Sequence, residues 1–233
     1  MSKGKLYLIP NILGEQNPST VIPYSVLELT KSLKYFIVEN IRTTRRFLKM
    51  VDKNIDIDAL TFFEIDKHQP NDIKAFLQPA QEGYDVGLIS EAGCPAIADP
   101  GALVVEKAHQ LSIQVVPLVG PNSILLALMA SGFNGQNFAF NGYLPIEKSE
   151  RIKQLKQLEH KIVTEHQTQI FIETPYRNNK LIECIIQNCS PERKLCVAVN
   201  LTLDNEKIIS KEIKKWKSYT YDFHKMPAVF LLY

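Results

Sequence analysis

Chemistry-bearing residues are densest in the run Ser90-Glu91-Ala92-Gly93-Cys94-Pro95-Ala96-Ile97-Ala98-Asp99-Pro100-Gly101. It follows an apolar stretch and precedes a helical one. Gly93 tolerates a positive φ and lets a ligand approach the backbone. Pro95 and Pro100 stiffen the run, and Ala92, Ala96 and Ala98 leave room beside it. The alternative is a long βα connection in which Asp99 caps the next helix. A second punctuated stretch, Gly120-Pro121-Asn122-Ser123, also links a strand pattern to a helix pattern, with Asn122 or Ser123 as a natural N-cap. Two such loops on one sheet edge favour a shared ligand site.

Charge gathers in two further places. Glu39-Asn40-Ile41-Arg42-Thr43-Thr44-Arg45-Arg46 sets three arginines at the start of a helix. The dipole there favours negative charge, so a nearby anion would resolve the conflict; a solvated basic face is the other reading. In Glu173-Thr174-Pro175-Tyr176-Arg177 the proline ends a strand and turns Tyr176 and Arg177 outward. That pair suits stacking and phosphate contact, a dimer interface, or no role. No GxGxxG, P-loop, HExxH or GxSxG motif occurs, and the five histidines are scattered.

The elements that must hold these residues alternate. Strands are expected at Lys5–Pro10, Tyr35–Val38, Leu60–Ile65, Asp85–Ile89 and Val115–Val119. Helices are expected at Tyr24–Leu33, Thr43–Val51, Pro70–Glu82, Ala102–Leu111 and Ser123–Ser131. The second half adds strands at Phe138–Asn141, Gln169–Ile172, Leu195–Val199 and Ala228–Tyr233. Its helices are Glu147–Thr164 and Asn178–Asn188, with a basic helical turn at Lys211–Lys217. This βα alternation predicts an α/β fold with mostly parallel or mixed sheets covered on both faces. The Gly120-Pro121 breaker divides the chain into an N-terminal domain, 1–119, and a C-terminal domain, 120–233, with a ligand cleft between them.

Composition narrows the class. The 233 residues are 45% hydrophobic and 22% charged, which excludes a disordered chain. A net charge of +2 gives nucleic acid no global attraction, so any such role needs a local basic patch. Cys94, Cys184, Cys189 and Cys196 form no CxxC, and no histidine sits at ligand spacing; no metal site is expected. Free thiols fit a reducing compartment. The apolar run at the N-terminus is too short for a signal peptide or membrane span, so a cytoplasmic protein with no membrane contact is expected.

Taken in order, these motifs, together with Val119-Gly120-Pro121-Asn122-Ser123 and Asn141-Gly142-Tyr143-Leu144-Pro145, resemble the tetrapyrrole methylase superfamily. The likeness is nearest to its branch of small-subunit ribosomal RNA cytidine 2′-O-methyltransferases and covers nearly the whole chain. It implies two α/β domains holding S-adenosylmethionine, in a homodimer. Carried over residue by residue, the cofactor meets Asn11, Ile12, Ala92, Gly93, Cys94, Ile97, Asn122 and Ser123. Glu173, Asn200 and Leu201 approach it from the second domain. Glu91 is the first candidate for base or orienter and Tyr143 the second; Arg42 and Arg177 would position phosphate. The expected partner is ribosomal RNA or the small ribosomal subunit. A tetrapyrrole or other small-molecule acceptor, and a non-catalytic cofactor- or RNA-binding paralogue, are the alternatives.

Several positions depart from that branch. Cys94 stands where it has threonine, Asn11-Ile12 replace a Thr-Pro pair, and Glu39-Asn40 replace two acids. Val199-Asn200-Leu201-Thr202-Leu203 replace a charged motif.

Overall fold

A computed structural model describes residues 2–65 and 72–233. It divides into two units, Met1–Asn122 and Ser123–Tyr233.

In the first unit, strands β1 (Lys5–Ile9), β2 (Tyr35–Val38), β3 (Thr61–Glu64), β4 (Val86–Ile89) and β5 (Gln114–Pro117) alternate with helices. These are α1 (Tyr24–Ser32), α2 (Ile41–Val51), α3 (Ile73–Phe76), α4 (Gln78–Gln81) and α5 (Gly101–Gln110). All strand pairs are parallel, in the order β3-β2-β4-β1-β5. Alternate side chains enter two cores. Ile9, Phe36, Val38 and Ile89 pack with Val26, Leu27, Phe47 and Leu48 of α1 and α2. Leu6, Ile37, Val86 and Leu88 pack with Leu77, Ala80, Val104 and Ala108 on the other face. Every turn after a strand therefore opens at one edge, the carboxyl end. Neighbours β1 and β4 send their crossovers in opposite directions, one toward β2 and one toward β5. This is a topological switch point, the place where open α/β sheets bind ligands.

Several boundaries shift by one or two residues from expectation, and two of the differences have a plain local cause. The predicted helix from Pro70 to Glu82 splits at Leu77, because Pro79 has no amide to donate back to the preceding turn; Pro70 and Asn71 lie outside the described residues. Helix α2 begins at Ile41 rather than Thr43, because the Asn40 side chain accepts from Thr43 N at 3.1 Å and caps it earlier.

The second unit opens with α6 (Ser123–Ser131). Then come β6 (Phe138–Tyr143), α7 (Lys148–Glu165), β7 (Thr168–Ile172), α8 (Asn178–Asn188), β8 (Lys194–Val199), β9 (Lys207–Glu212), α9 (Ile213–Trp216) and β10 (Ala228–Leu232). The order is β6-β7-β10-β8-β9, parallel only between β6 and β7. Phe171, Val197, Phe230 and Leu232 pack with Leu155, Leu158, Leu181 and Ile185 of α7 and α8. Helix α6 lies against β8, β9 and β10. Strand β9 falls partly where sequence predicts a basic helical turn. Its residues Lys207, Ile208, Ile209, Ser210, Lys211 and Glu212 carry little apolar signal, and backbone pairing with β8 decides them. Only Ile213–Trp216 is helical there.

Among the described residues no helix is long and apolar enough to cross a membrane. All four cysteines are free. Burial pushes the Cys189 and Cys196 thiols up to about 12, and it raises Cys94 as well. Cys184 is also buried, whereas Cys94 is part-exposed. A thiol-disulfide reagent at pH 8 is therefore expected to label Cys94 alone, and slowly, in native protein. All four should react after denaturation. Rapid labelling of two or more thiols in the native state would contradict this packing.

Candidate functional site

The loops after β1, β4 and β5 meet at the switch point and are fastened by polar contacts. Asn11 and Gly93 exchange backbone bonds as an isolated antiparallel bridge, at 2.9 and 3.2 Å. Asn11 is 4% exposed. Its amide nitrogen donates to Ser90 O at 3.0 Å and Glu91 O at 3.1 Å, and its oxygen accepts from Ile12 N at 2.8 Å. The Asn11 side chain thus holds the loop after β4 in place. Cys94 Sγ lies 3.5 Å from Pro121 O and 3.9 Å from Gly120 O, and it bonds the Asn122 side chain. A protonated thiol donates there as a hydroxyl would, and its raised pKa keeps it protonated.

The Ser90–Gly101 loop is strained. Gly93, Ala96 and Ala98 have φ of 71°, 66° and 63°. Each alanine costs on the order of 1–3 kcal/mol there, a pattern that collects at ligand sites. Asp99 stabilises the path, as Oδ1 accepts from Ala96 N at 3.0 Å and from Gly101 N at 2.7 Å. The same carboxylate, one residue before the N-cap Pro100, therefore bonds the first amide of α5. Burial pushes the Asp99 carboxyl up, and its Oδ2 is buried with no partner among the described residues.

The three loops, 10–14, 90–101 and 118–122, contain no lysine, arginine or histidine. Glu91, Ala92, Ile97 and Val119 are exposed in them, and Ile12 and Leu13 half-exposed. This donor set repels a polyphosphate and suits a ligand that carries positive charge on an apolar body. The sulfonium of S-adenosylmethionine fits that description. At Gly93 an added Cβ would sit 3.3 Å from Leu13 Cδ2 and 3.6 Å from Pro121 O, narrowing the gap where the loops converge.

The next strand over carries the charge. Glu39, just after β2, accepts from Glu91 N at 3.2 Å and so ties the start of α2 to the Ser90–Gly101 loop. Asn40, Ile41, Arg42, Arg45, Arg46 and Glu64 line a cavity of about 630 Å³. Part of the anion that the sequence asks for at this helix end is internal, because Ile41 N donates to Glu64 Oε1 at 3.1 Å. Arg45 bonds Asp58 at 2.9 Å. Arg42 and Arg46 have no carboxylate partner among the described residues. The roles of Glu39 and Glu64 escape sequence reading, since each depends on a strand neighbour distant in the chain.

The other site residues lie in the second unit. Pairings Tyr143↔Ile172, Val229↔Ile172 and Ala228↔Val199 bring Tyr143, Glu173 and Asn200 to one end of its sheet. Ser123 is the first residue of α6. Tyr143 is 60% exposed. Asn200 and Leu201 are buried, and Asn200, at φ 52°, donates its amide to Pro227 O at 3.0 Å. Arg177 departs from expectation. Its Nε and one terminal nitrogen sit 3.0 and 2.6 Å from Glu173 Oε1, and the Glu173 side chain is only 2% exposed. The guanidinium is committed to a buried carboxylate instead of standing free for phosphate.

Three variants check this geometry by denaturant unfolding. Asn11→Ala strips partners from the Ser90 and Glu91 carbonyls and should cost about 1–3 kcal/mol. Gly120→Ala should cost a similar amount, as a Cβ would fall 2.3 Å from Pro10 Cβ and Cγ. Arg177→Ala should cost about 1–3 kcal/mol by leaving Glu173 buried without its cation. A change below about 0.5 kcal/mol in any of them, the usual range of plain surface substitutions, would refute the contact it removes.

Comparison with known proteins places this arrangement. The family model for tetrapyrrole (corrin/porphyrin) methylases matches residues 29–216. Among curated proteins, ribosomal RNA small subunit methyltransferase I of Buchnera aphidicola subsp. Acyrthosiphon pisum (strain APS) is 30% identical over 215 residues. That alignment covers 92% of this chain and 68% of the relative. The Escherichia coli O157:H7 protein of that name is 31% identical, over 86% of this chain and 66% of its own length. The Bacillus subtilis (strain 168) protein of that name is 29% identical, over 91% and 68%. Two solved structures share the fold. The methyltransferase CobJ has a TM-score of 0.63 at 18% identity, covering 98% of this chain and 93% of its own. Uroporphyrin-III-C-methyltransferase from Thermus thermophilus scores 0.55 at 14%, covering 99% and 94%. With the family model spanning most of both units, the chain belongs to the tetrapyrrole methylases, enzymes that take their methyl group from S-adenosylmethionine.

Proposed function

We propose that this chain methylates a ribose 2′-hydroxyl of small-subunit ribosomal RNA, acting in the cytoplasm as a homodimer. The observation that carries the reading is adjacency within the first unit. A cation-free loop cluster at the switch point is joined, through the bond from Glu91 N to Glu39, to a cavity bearing Arg42, Arg45 and Arg46. One suits a sulfonium and the other a phosphate. The names of the relatives support the acceptor. For the homodimer, the support is the family resemblance and the uncharged helix α6, which exposes Leu125 and Met129.

S-adenosylmethionine, when bound, supplies a methyl group activated by its positive sulfur. The chain supplies alignment and electrostatics. Acceptor oxygen, methyl carbon and sulfur must lie nearly in line, with reacting atoms about 3–3.5 Å apart. Ile12, Ala92, Gly93 and Ile97 form the wall against which the cofactor rests, and Cys94 with Asn122 keeps that wall in place. Ser123, Glu173, Asn200 and Leu201 are assigned to the cofactor on the resemblance alone. Glu91, exposed at the start of the loop, orients the hydroxyl and receives its proton; Tyr143 is the second candidate. Arg42 and Arg46 hold the neighbouring phosphates.

The cofactor reading is tested by titration calorimetry with S-adenosylmethionine and its demethylated product, and no heat at millimolar ligand would overturn it. Gly93→Val should remain folded and lose that binding, because valine is strained at φ 71° and fills the loop gap. The acceptor reading is tested by incubating the protein with labelled S-adenosylmethionine and purified small subunits. Arg42→Ala and Arg46→Ala should each lower methylation roughly tenfold, the loss of one contact of about 1.4 kcal/mol, while cofactor affinity stays unchanged. Wild-type rates in both variants would remove the phosphate role. Sedimentation in reducing buffer should give a dimer at micromolar concentration.

A further inference from the structure

One exposed cluster in the second unit is used by none of this. The 3-10 turn Pro175–Arg177 presents Tyr176, 67% exposed. Beside it, the turn at residues 223–226 presents His224 and Lys225, both exposed. The Tyr176 and His224 rings meet edge to face, with centroids 5.6 Å apart and planes at 77°. Lys225 Nζ lies 5.8 Å from the Tyr176 ring centroid. Among the described residues no carboxylate pairs with Lys225. The nearby acid, Asp222, accepts at Oδ1 from Asn179 Nδ2 at 2.9 Å and from His224 N at 3.0 Å.

The two turns are latched together. Asn178, fully buried, donates from Nδ2 to Phe223 O at 2.9 Å and to Met226 O at 2.7 Å. Phe223 N donates to Asn179 Oδ1 at 3.0 Å, and Lys225 N to Pro175 O at 3.0 Å. These bonds hold Lys225 in the left-handed region, at φ 62°. Such backbone conformations persist where the surroundings over-determine them, and they collect at ligand clamps. The position of the cluster matters as well. Strand pairing places it at the sheet end that also carries Tyr143, Glu173 and Asn200.

We propose that Tyr176, His224 and Lys225 form a docking platform for single-stranded RNA, in which an unpaired base stacks on Tyr176 and Lys225 takes a flanking phosphate. The inference rests on the RNA reading above and adds a substrate contact to it. An exposed aromatic ring beside an unpaired cation is the combination that binds unpaired nucleotides with little sequence preference. Arg177 serves here as a brace, since its guanidinium is held by Glu173.

The test measures binding of the full chain to a fluorescein-labelled, unstructured twelve-nucleotide RNA by anisotropy over a salt series. Cofactor affinity and unfolding midpoint are recorded for every variant. Tyr176→Ala should weaken binding by about 5- to 100-fold, the value of one base stacked on an aromatic ring. Tyr176→Phe keeps the ring and should stay within about threefold of wild type on the same argument. Lys225→Gln should reduce the slope of log K against log salt by about 0.7. Cofactor affinity and midpoint should not move. Wild-type RNA binding by Tyr176→Ala, or equal loss in the alanine and phenylalanine variants, overturns the platform. If Arg42→Ala lowers RNA binding while Tyr176→Ala does not, the platform falls and the RNA reading stands. If wild-type protein binds none of this RNA, the platform falls, and methylation of purified small subunits alone decides the acceptor reading. Conversion of a dimer to a monomer by Tyr176→Ala also overturns the proposal, because it marks the cluster as a subunit contact.

Discussion

The side-chain amide of Asn11 donates to the carbonyls of both Ser90 and Glu91 at the switch point, and so binds the loop after β1 to the loop after β4. A buried carbonyl left without a donor costs about as much as a lost hydrogen bond. The loop after β4 therefore follows the loop after β1. Other contacts build on that constraint: the Asn11–Gly93 bridge, the Cys94 bond to Pro121 O and the Glu39 bond to Glu91 N. Strain at Ala96 and Ala98 is tolerable because both ends of the loop are held.

The second unit repeats the device with other residues. Asn178, buried at the start of α8, holds two carbonyls of the turn before β10, as Asn11 holds two carbonyls of the loop after β4. In each unit one carboxamide converts two separate loops into a single rigid surface at the end of a sheet. Precision on loops must come from such supports, since a loop has no ladder of its own.

Charge is sorted by strand. Loops at the switch point carry only acids, and the basic side chains appear at the start of α2. A sulfonium and a phosphate can thus be bound close together without either site repelling its own ligand. Asp58 takes Arg45, whereas Arg42 and Arg46 have no carboxylate partner among the described residues.

Sequence alone determined the alternation of strands and helices, because apolar period and turn chemistry are local properties. It also located the loops that meet at the switch point, since Gly93, Pro95, Pro100 and Gly120 are legible as backbone requirements. Tertiary structure decided what the side chains do. Asn11 reads as a contact residue, and only the fold shows that its side chain also supports the loop after β4, because its partners are about eighty residues away. Arg177 reads as a free cation and is bound to Glu173, since the register of a strand end and a 3-10 turn brings them together. Strand β9 carries almost no local signal and forms because β8 offers it an edge. Lys225 has no motif to announce it; its place beside Tyr176 exists only once β7 and β10 are paired. Local pattern fixes what a segment can become, whereas long-range hydrogen bonds choose which polar groups remain free to meet a ligand.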